Sequence, residues 1–154
     1  MRALARLAIL LAAIAAPACG GGAARPAALD AKHDACGSCR MPVSDPRLAA
    51  QIAAPGEEAL FFDDIGCLRD YLSSSKASGR SAVAYVADHR TGTWVPAAAA
   101  RYARCPSLET PMGSHLVAHA DAASRAADPV ASGCAAVSPE EILGPSGPSG
   151  PGKG

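Results

Sequence analysis

The chain closes on Gly144-Pro145-Ser146-Gly147-Pro148-Ser149-Gly150-Pro151-Gly152-Lys153-Gly154, and residues 20–32 are rich in Gly, Ala and Pro. Segments with so little to bury cannot offset the entropy lost on ordering. Of 154 residues, only about 110 are left to build a core. Those residues are lean as well. Hydrophobic types make up 49% of the chain but aromatics only 4%, and much of the remainder is Ala, which buries little area. A chain of this kind must fold from short elements resting on scattered Leu, Ile, Val, Phe and Tyr.

Their order is legible. Leu48 to Ala54 and Ala59 to Phe62 read as two strands around a Pro55-Gly56 turn. Asp63-Asp64 suits a helix start, and Ile65, Leu68 and Leu72 follow at helical spacing, with Ser73 to Gly79 as the stop. Ala82 to Ala87 and Thr93 to Val95 read as a hairpin about Thr91-Gly92. Pro96 to Arg104 opens on Pro and runs on Ala, which predicts a helix. Leu116 to Ala120 predicts a strand, Ala122 to Ala127 a short helix, and Ser138-Pro139-Glu140-Glu141 a capped helix through Leu143. The class is α+β: a strand–strand–helix–strand unit occurs twice around a small, mostly antiparallel sheet.

Residues 1–18 read as an export signal, with Arg2 and Arg6 before the uncharged apolar stretch Leu7 to Ala16. Ala16-Pro17-Ala18-Cys19-Gly20 is similar to a bacterial lipobox, in which Cys19 is acylated and becomes the mature N-terminus. Ala16 stands where Leu is usual there, and Ala16-x-Ala18 also fits plain cleavage and soluble export. Residues 19–35 would serve as a flexible tether between a lipid anchor and a domain spanning 36–143, with 144–154 as a tail. No apolar run reaches the roughly 18 residues of a membrane span.

Lys and Arg number 14 against 14 Asp and Glu. Removal of Arg2 and Arg6 with the signal leaves 12 against 14, a net charge of −2. No basic field exists to hold a nucleic acid backbone. Export would place Cys36, Cys39, Cys67, Cys105 and Cys134 in an oxidising compartment, where one or two disulfides are expected. An odd number leaves at least one thiol over.

Cys36-Gly37-Ser38-Cys39-Arg40-Met41-Pro42 is the segment that carries chemistry. A C-x-x-C pair can be a redox dithiol, half a zinc site or a disulfide. A redox dithiol wants a helix directly behind it, and Pro42, Ser44, Asp45 and Pro46 interrupt one. Zinc would want a second C-x-x-C or paired His, and the other cysteines stand alone. Met41 lies two residues past Cys39, and thiolate with thioether is a soft set that selects Cu(I). Beyond the initiator the chain has only Met41 and Met112, both beside Pro in loop-like segments where core filling is a poor explanation.

Cys36-x-x-Cys39-x-Met41, Ala50-Gln51-Ile52, Phe61-Phe62-Asp63-Asp64-Ile65-Gly66-Cys67-Leu68, Tyr85-Val86-x-Asp88, Thr91-Gly92-x-Trp94 and Thr110-Pro111-Met112-Gly113-Ser114 resemble, in order, the NosL family of copper-binding lipoproteins. The likeness runs from about Cys36 to Leu143, with Arg40 standing where the family usually has Gly. It implies two ββαβ units related to the organomercurial lyase MerB. It also implies a periplasmic Cu(I) chaperone rather than an enzyme, serving the maturation of nitrous oxide reductase in denitrification beside a membrane transporter.

On that footing the expected Cu(I) ligands are Cys39, Met41 and Met112, with His115 and Cys36 as further candidates. His33, His89 and His119 are expected to be surface or packing residues, Cys67 a packing residue, Asp63 and Asp64 a helix cap, and Trp94 part of the core or hairpin. Two other classes stand beside this one. A thiol enzyme would use Cys39 or Cys36 as nucleophile with an Asp carrying the proton. A structural module would hold a Cys36–Cys39 disulfide or zinc.

Overall fold

The computed structural model describes residues 24–74 and 82–145. The expected signal at 1–18, the expected lipid acceptor Cys19 and most of the expected tail lie outside the described residues. Among the described residues, seven strands and three α-helices follow in the order β1 (Ala50–Ala53), β2 (Leu60–Phe62), α1 (Ile65–Ser73), β3 (Val83–Ala87), β4 (Trp94–Pro96), β5 (Arg101–Arg104), β6 (Leu116–His119), α2 (Ala122–Ala126), β7 (Ala135–Val137) and α3 (Pro139–Leu143). A 3-10 helix, Pro129–Ala131, lies between α2 and β7.

Two sheets result, ordered β2-β1-β3-β4 and β6-β5-β7, with every pairing antiparallel. In each unit the first strand is central. Ala50 of β1 faces Phe62 and Val86, and Tyr102 of β5 faces Ala118 and Val137. The second strand of each unit and the strand after its helix therefore run parallel on either side of it. This is the α+β class and the doubled ββαβ order expected from the sequence.

The two units share one core. Phe62, Ile65, Leu68 and Val86 of the first pack with Tyr102, Leu116, Ala118 and Ile142 of the second, all at most 2% exposed. Trp94 packs on β4, with its ring centroid 6.4 Å from that of Phe61. Gly56 at φ 75° and Gly92 at φ 72° occupy left-handed positions in the two turns where Gly was read as a turn residue. Ser138 caps α3, its Oγ accepting the Glu141 N–H at 3.3 Å.

The expected helix over Pro96 to Arg104 is replaced. Pro96 ends β4, Ala97 to Ala99 make a single turn, and Arg101–Arg104 is the central strand of the second sheet. Ala favours helix by only a few tenths of a kcal/mol per residue over most types. Two rows of strand hydrogen bonds and the burial of Tyr102 and Ala103 outweigh that. β7 was not foreseen because Ala135-Ala136-Val137 carries almost no strand signature.

Part of the stretch read as a tether is also docked. Gln51 is fully buried and exchanges two hydrogen bonds with the Ala27 backbone, at 2.8 and 3.1 Å. The Tyr85 hydroxyl donates to the Ala24 carbonyl at 2.8 Å. Buried polar groups demand partners, and here the extended backbone of residues 24–27 supplies them.

Candidate metal centre

Residues 35–42 fold back on themselves as a tight loop. Ala35 bridges Pro42, the Cys36 N–H donates to Met41 O at 2.8 Å, and the Arg40 N–H donates to Cys36 O at 3.0 Å. Arg40 sits at φ 67°, a left-handed backbone that costs an L side chain about 1 kcal/mol. That explains why Gly is the usual residue at this point of the resemblance. The loop is fastened to β2 by the Gly37 N–H, which donates to Phe61 O at 2.8 Å. A Cβ on Gly37 would lie 2.7 Å from Leu60 Cγ, so the approach requires glycine.

Below the loop, β2 runs directly into α1. Asp64 is the N-cap: its Oδ1 accepts the Gly66 N–H at 2.6 Å, and its Oδ2 accepts the Met112 N–H at 3.0 Å. Asp63 has a different task. The Cys39 Sγ donates to its carboxylate, at 3.4 Å to Oδ1 and 3.6 Å to Oδ2. Cys67, one turn into α1, shares the same space. The donor atoms of Cys36, Cys39, Asp63 and Cys67 all lie within 4.8 Å of one another. Cys36, Asp63 and Cys67 are buried, and Cys39 is half-buried at the opening.

Burial dominates the electrostatics of the cluster. Burial first, and then Cys36 and Asp63, push the Cys39 thiol above its ordinary value, against the Met41 N–H that points to its sulfur. Burial, with Cys36 and Asp63 again beside it, drives the Cys67 thiol far above the usual thiol range. These thiols hold their protons when alone, and a metal that takes thiolates must release them. Asp64 goes the other way: although burial opposes it, hydrogen bonds from the Ser114 and Thr110 hydroxyls and the Gly66 and Met112 N–H groups keep its carboxyl below the usual range.

Met41 and Met112 are 57% and 52% exposed, the two most exposed large hydrophobic side chains among the described residues. Each is fastened to a wall of the cluster through its backbone, Met41 to Cys36 and Met112 to Asp64. The Met112 loop also presses on α1, where a Cβ on Gly66 would stand 2.8 Å from Ser114 Cβ. Among the described residues, His115 lies in neither group of converging His, Cys, Asp and Glu donors. Its Nδ1 meets Leu108 O at 2.7 Å, and its backbone is at φ 58°.

Cys67 and Asp63 were taken for packing and capping residues, yet they complete the cluster. The only signal was proximity along the chain: Asp63 directly precedes the N-cap of α1 and Cys67 lies in its first turn. Of the histidines expected at the surface or in packing, His89 and His119 are buried, at 5% and 0% exposed. Cys105 and Cys134 form a disulfide, which leaves Cys36, Cys39 and Cys67 as the free thiols among the described residues.

The family model NosL matches residues 26–134, which takes in the thiol cluster, both methionine loops, the first sheet and strands β5 and β6 of the second. No curated protein and no solved structure matches the chain.

Proposed function

Since the chain belongs to the NosL family, a copper-binding accessory family, we propose that it is a Cu(I) carrier and not an enzyme, exported and held at the membrane, facing the periplasm, through lipidated Cys19. In this reading it passes copper to a maturing copper enzyme, nitrous oxide reductase foremost, beside a membrane transporter of the same pathway. The observation that carries the proposal is the convergence of Cys36, Cys39 and Cys67 on Asp63, under two loops that present Met41 and Met112 to solvent.

The parts suit a carrier. Thioether sulfurs on exposed Met41 and Met112 would accept soft Cu(I) without deprotonation, and the buried thiols would hold it more firmly once their protons leave. Asp63 accepts the Cys39 S–H and is placed to take that proton as the sulfur turns to the metal. A ligand set graded from exposed thioether to buried thiolate also gives an incoming protein a place to attack. The thiol-enzyme reading needs Cys39 as a ready thiolate, and its surroundings push the thiol the opposite way.

The test is an anaerobic titration of the reduced chain with Cu(I) against a chromophoric Cu(I) chelator, at two pH values. We expect about one Cu(I) retained, more tightly at the higher pH because bound thiols have lost protons, and released by Cys39→Ser. Copper lost entirely to the chelator would overturn the carrier reading.

A further inference from the structure

A second group of ligand-type side chains meets at the seam between the two ββαβ units. His89 leaves the end of β3, and its backbone N–H donates to Ala118 O of β6 at 2.8 Å. His119 is the last residue of β6, and Asp128 caps the 3-10 helix through its Oδ1, which accepts the Val130 N–H at 3.0 Å. The other oxygen, Oδ2, meets His89 Nδ1 at 2.6 Å and His119 Nε2 at 2.9 Å. The three residues are 5%, 0% and 6% exposed, and their donor atoms lie within 4.8 Å of one another.

Buried polar groups are normally paired. His119 meets Asp128 through Nε2 alone, and its Nδ1, the ring nitrogen not facing Asp128, is the single buried side-chain nitrogen or oxygen among the described residues with no partner. One carboxylate oxygen carries both rings while its twin is spent on a backbone N–H. The surroundings are acidic too. Asp88, next to His89 and 1% exposed, is held ionised by the Ser124 hydroxyl and the Ala120 and Thr91 N–H groups, and Asp45 lies within electrostatic reach of His89. On the other side, Arg47 reaches Asp128 and the Arg90 Nε donates to Ser124 Oγ at 3.3 Å.

We propose that His89, His119 and Asp128 form a second metal site, separate from the thiols, for a borderline divalent ion of the Zn(II) type. Two imidazole nitrogens and one carboxylate oxygen are a donor set such ions accept, leaving one position for water. Ligand atoms on a tetrahedral ion stand about 3.4 Å apart, so the two His–Asp contacts need widen by less than the radius of an atom. Asp128 also lines a surface cleft of about 450 Å³ with Ala122, Arg125 and Ser132, which gives an ion a way in. Loading would join one ligand from the first unit to two from the second, so the ion clamps the units together.

The test uses the full chain carrying Cys19→Ser, Cys36→Ser, Cys39→Ser and Cys67→Ser with the Cys105–Cys134 disulfide intact, titrated with Co(II) and then Zn(II). The expected result is one Co(II) bound with tetrahedral ligand-field bands and no sulfur charge-transfer band. Zn(II) then displaces it, the melting temperature rises on loading, and all of this is lost on adding His89→Gln. Failure of the thiol-free chain to retain Co(II), or equal retention after His89→Gln, would overturn the site. If the thiol-free chain does not fold, X-ray absorption at the zinc edge on the intact chain decides. With thiols occupied by Cu(I), a zinc shell of nitrogen and oxygen supports the proposal, whereas a sulfur shell or no bound zinc overturns it.

Discussion

At the scale of single residues, Met112 is where the copper reading is most open to test. Leu keeps the volume and removes the sulfur, and the side chain is half exposed, so Met112→Leu should leave stability within about 0.5 kcal/mol. Its Cu(I) affinity should fall about tenfold, equivalent to about 1.4 kcal/mol. Equal affinity in the chelator competition would take Met112 out of the site. Arg40 offers a different test, because its left-handed backbone is a cost that glycine does not bear. Arg40→Gly should raise the urea midpoint by the equivalent of about 1 kcal/mol. A lower midpoint would mean that the Arg40 side chain contributes more than its backbone costs. Both positions stood out in the sequence, Met112 for its rarity and Arg40 for its departure from the family's glycine, but neither the exposure of the one nor the backbone angle of the other was visible there.

At the scale of elements, the site depends on how closely the Met112 loop lies against the first turn of α1. Asp64 binds the loop backbone, and Gly66 leaves room for Ser114. Gly66→Ala must displace Ser114 Cβ and crowd the Asp64 carboxylate, so about 1–3 kcal/mol of stability should be lost. Cu(I) affinity should drop with it if Met112 is a ligand. Chemical denaturation and the chelator competition read the two effects separately, and no change in either would mean the loop relaxes freely. The elements themselves were largely legible because α1, α3 and the first two strands carry period and caps in their own residues. The miss at Pro96 to Arg104 has a plain cause. A run of Ala states a weak local preference, and the pairing partners of β5 lie in β6 and β7, well beyond any local window.

At the scale of the whole molecule, one feature cross-links the second unit internally and another binds the two units to each other. The disulfide Cys105–Cys134 closes a separation of 29 residues, for which the loop-entropy account gives about 3–4 kcal/mol. Cys105→Ala with Cys134→Ala should lower stability by about that amount, and a loss near zero would show that the unfolded chain is already restricted. The double variant also separates the reduction needed to load copper from any effect of opening this bridge. Asp88 is the second feature. It follows β3, yet its Oδ2 accepts the Ala120 N–H at 2.7 Å and the Ser124 hydroxyl at 2.6 Å. Although burial opposes it, those bonds hold its carboxyl down at about 2. A depressed folded value stabilises above the unfolded value near 3.9, and that contribution fades as pH falls toward the folded one. Asp88→Asn should therefore cost about 2 kcal/mol at neutral pH, with variant and parent converging between about pH 4 and pH 2. Parallel curves in an acid titration of unfolding would show that the carboxylate charge is not what matters.

The sequence by itself determined most of the short elements, β5 and β7 excepted, together with the C-x-x-C-x-Met loop, the turns, the caps and the family. Each of these is a local pattern that residues a few positions apart can state. It could not tell Asp63 from Asp64. Both stand at a helix start, and only the approach of the loop over residues 35–42 turns one into a thiol partner and leaves the other as cap and loop anchor. Cys67 joined the thiols, and His89 joined His119 and Asp128, through contacts that span the sheets. Such contacts are set by which faces pack together, and no residue states that alone. Tertiary structure decided the sites because a metal centre is a meeting of side chains in space, and the chain brings them from loops, strand ends and helix starts that share no local signal.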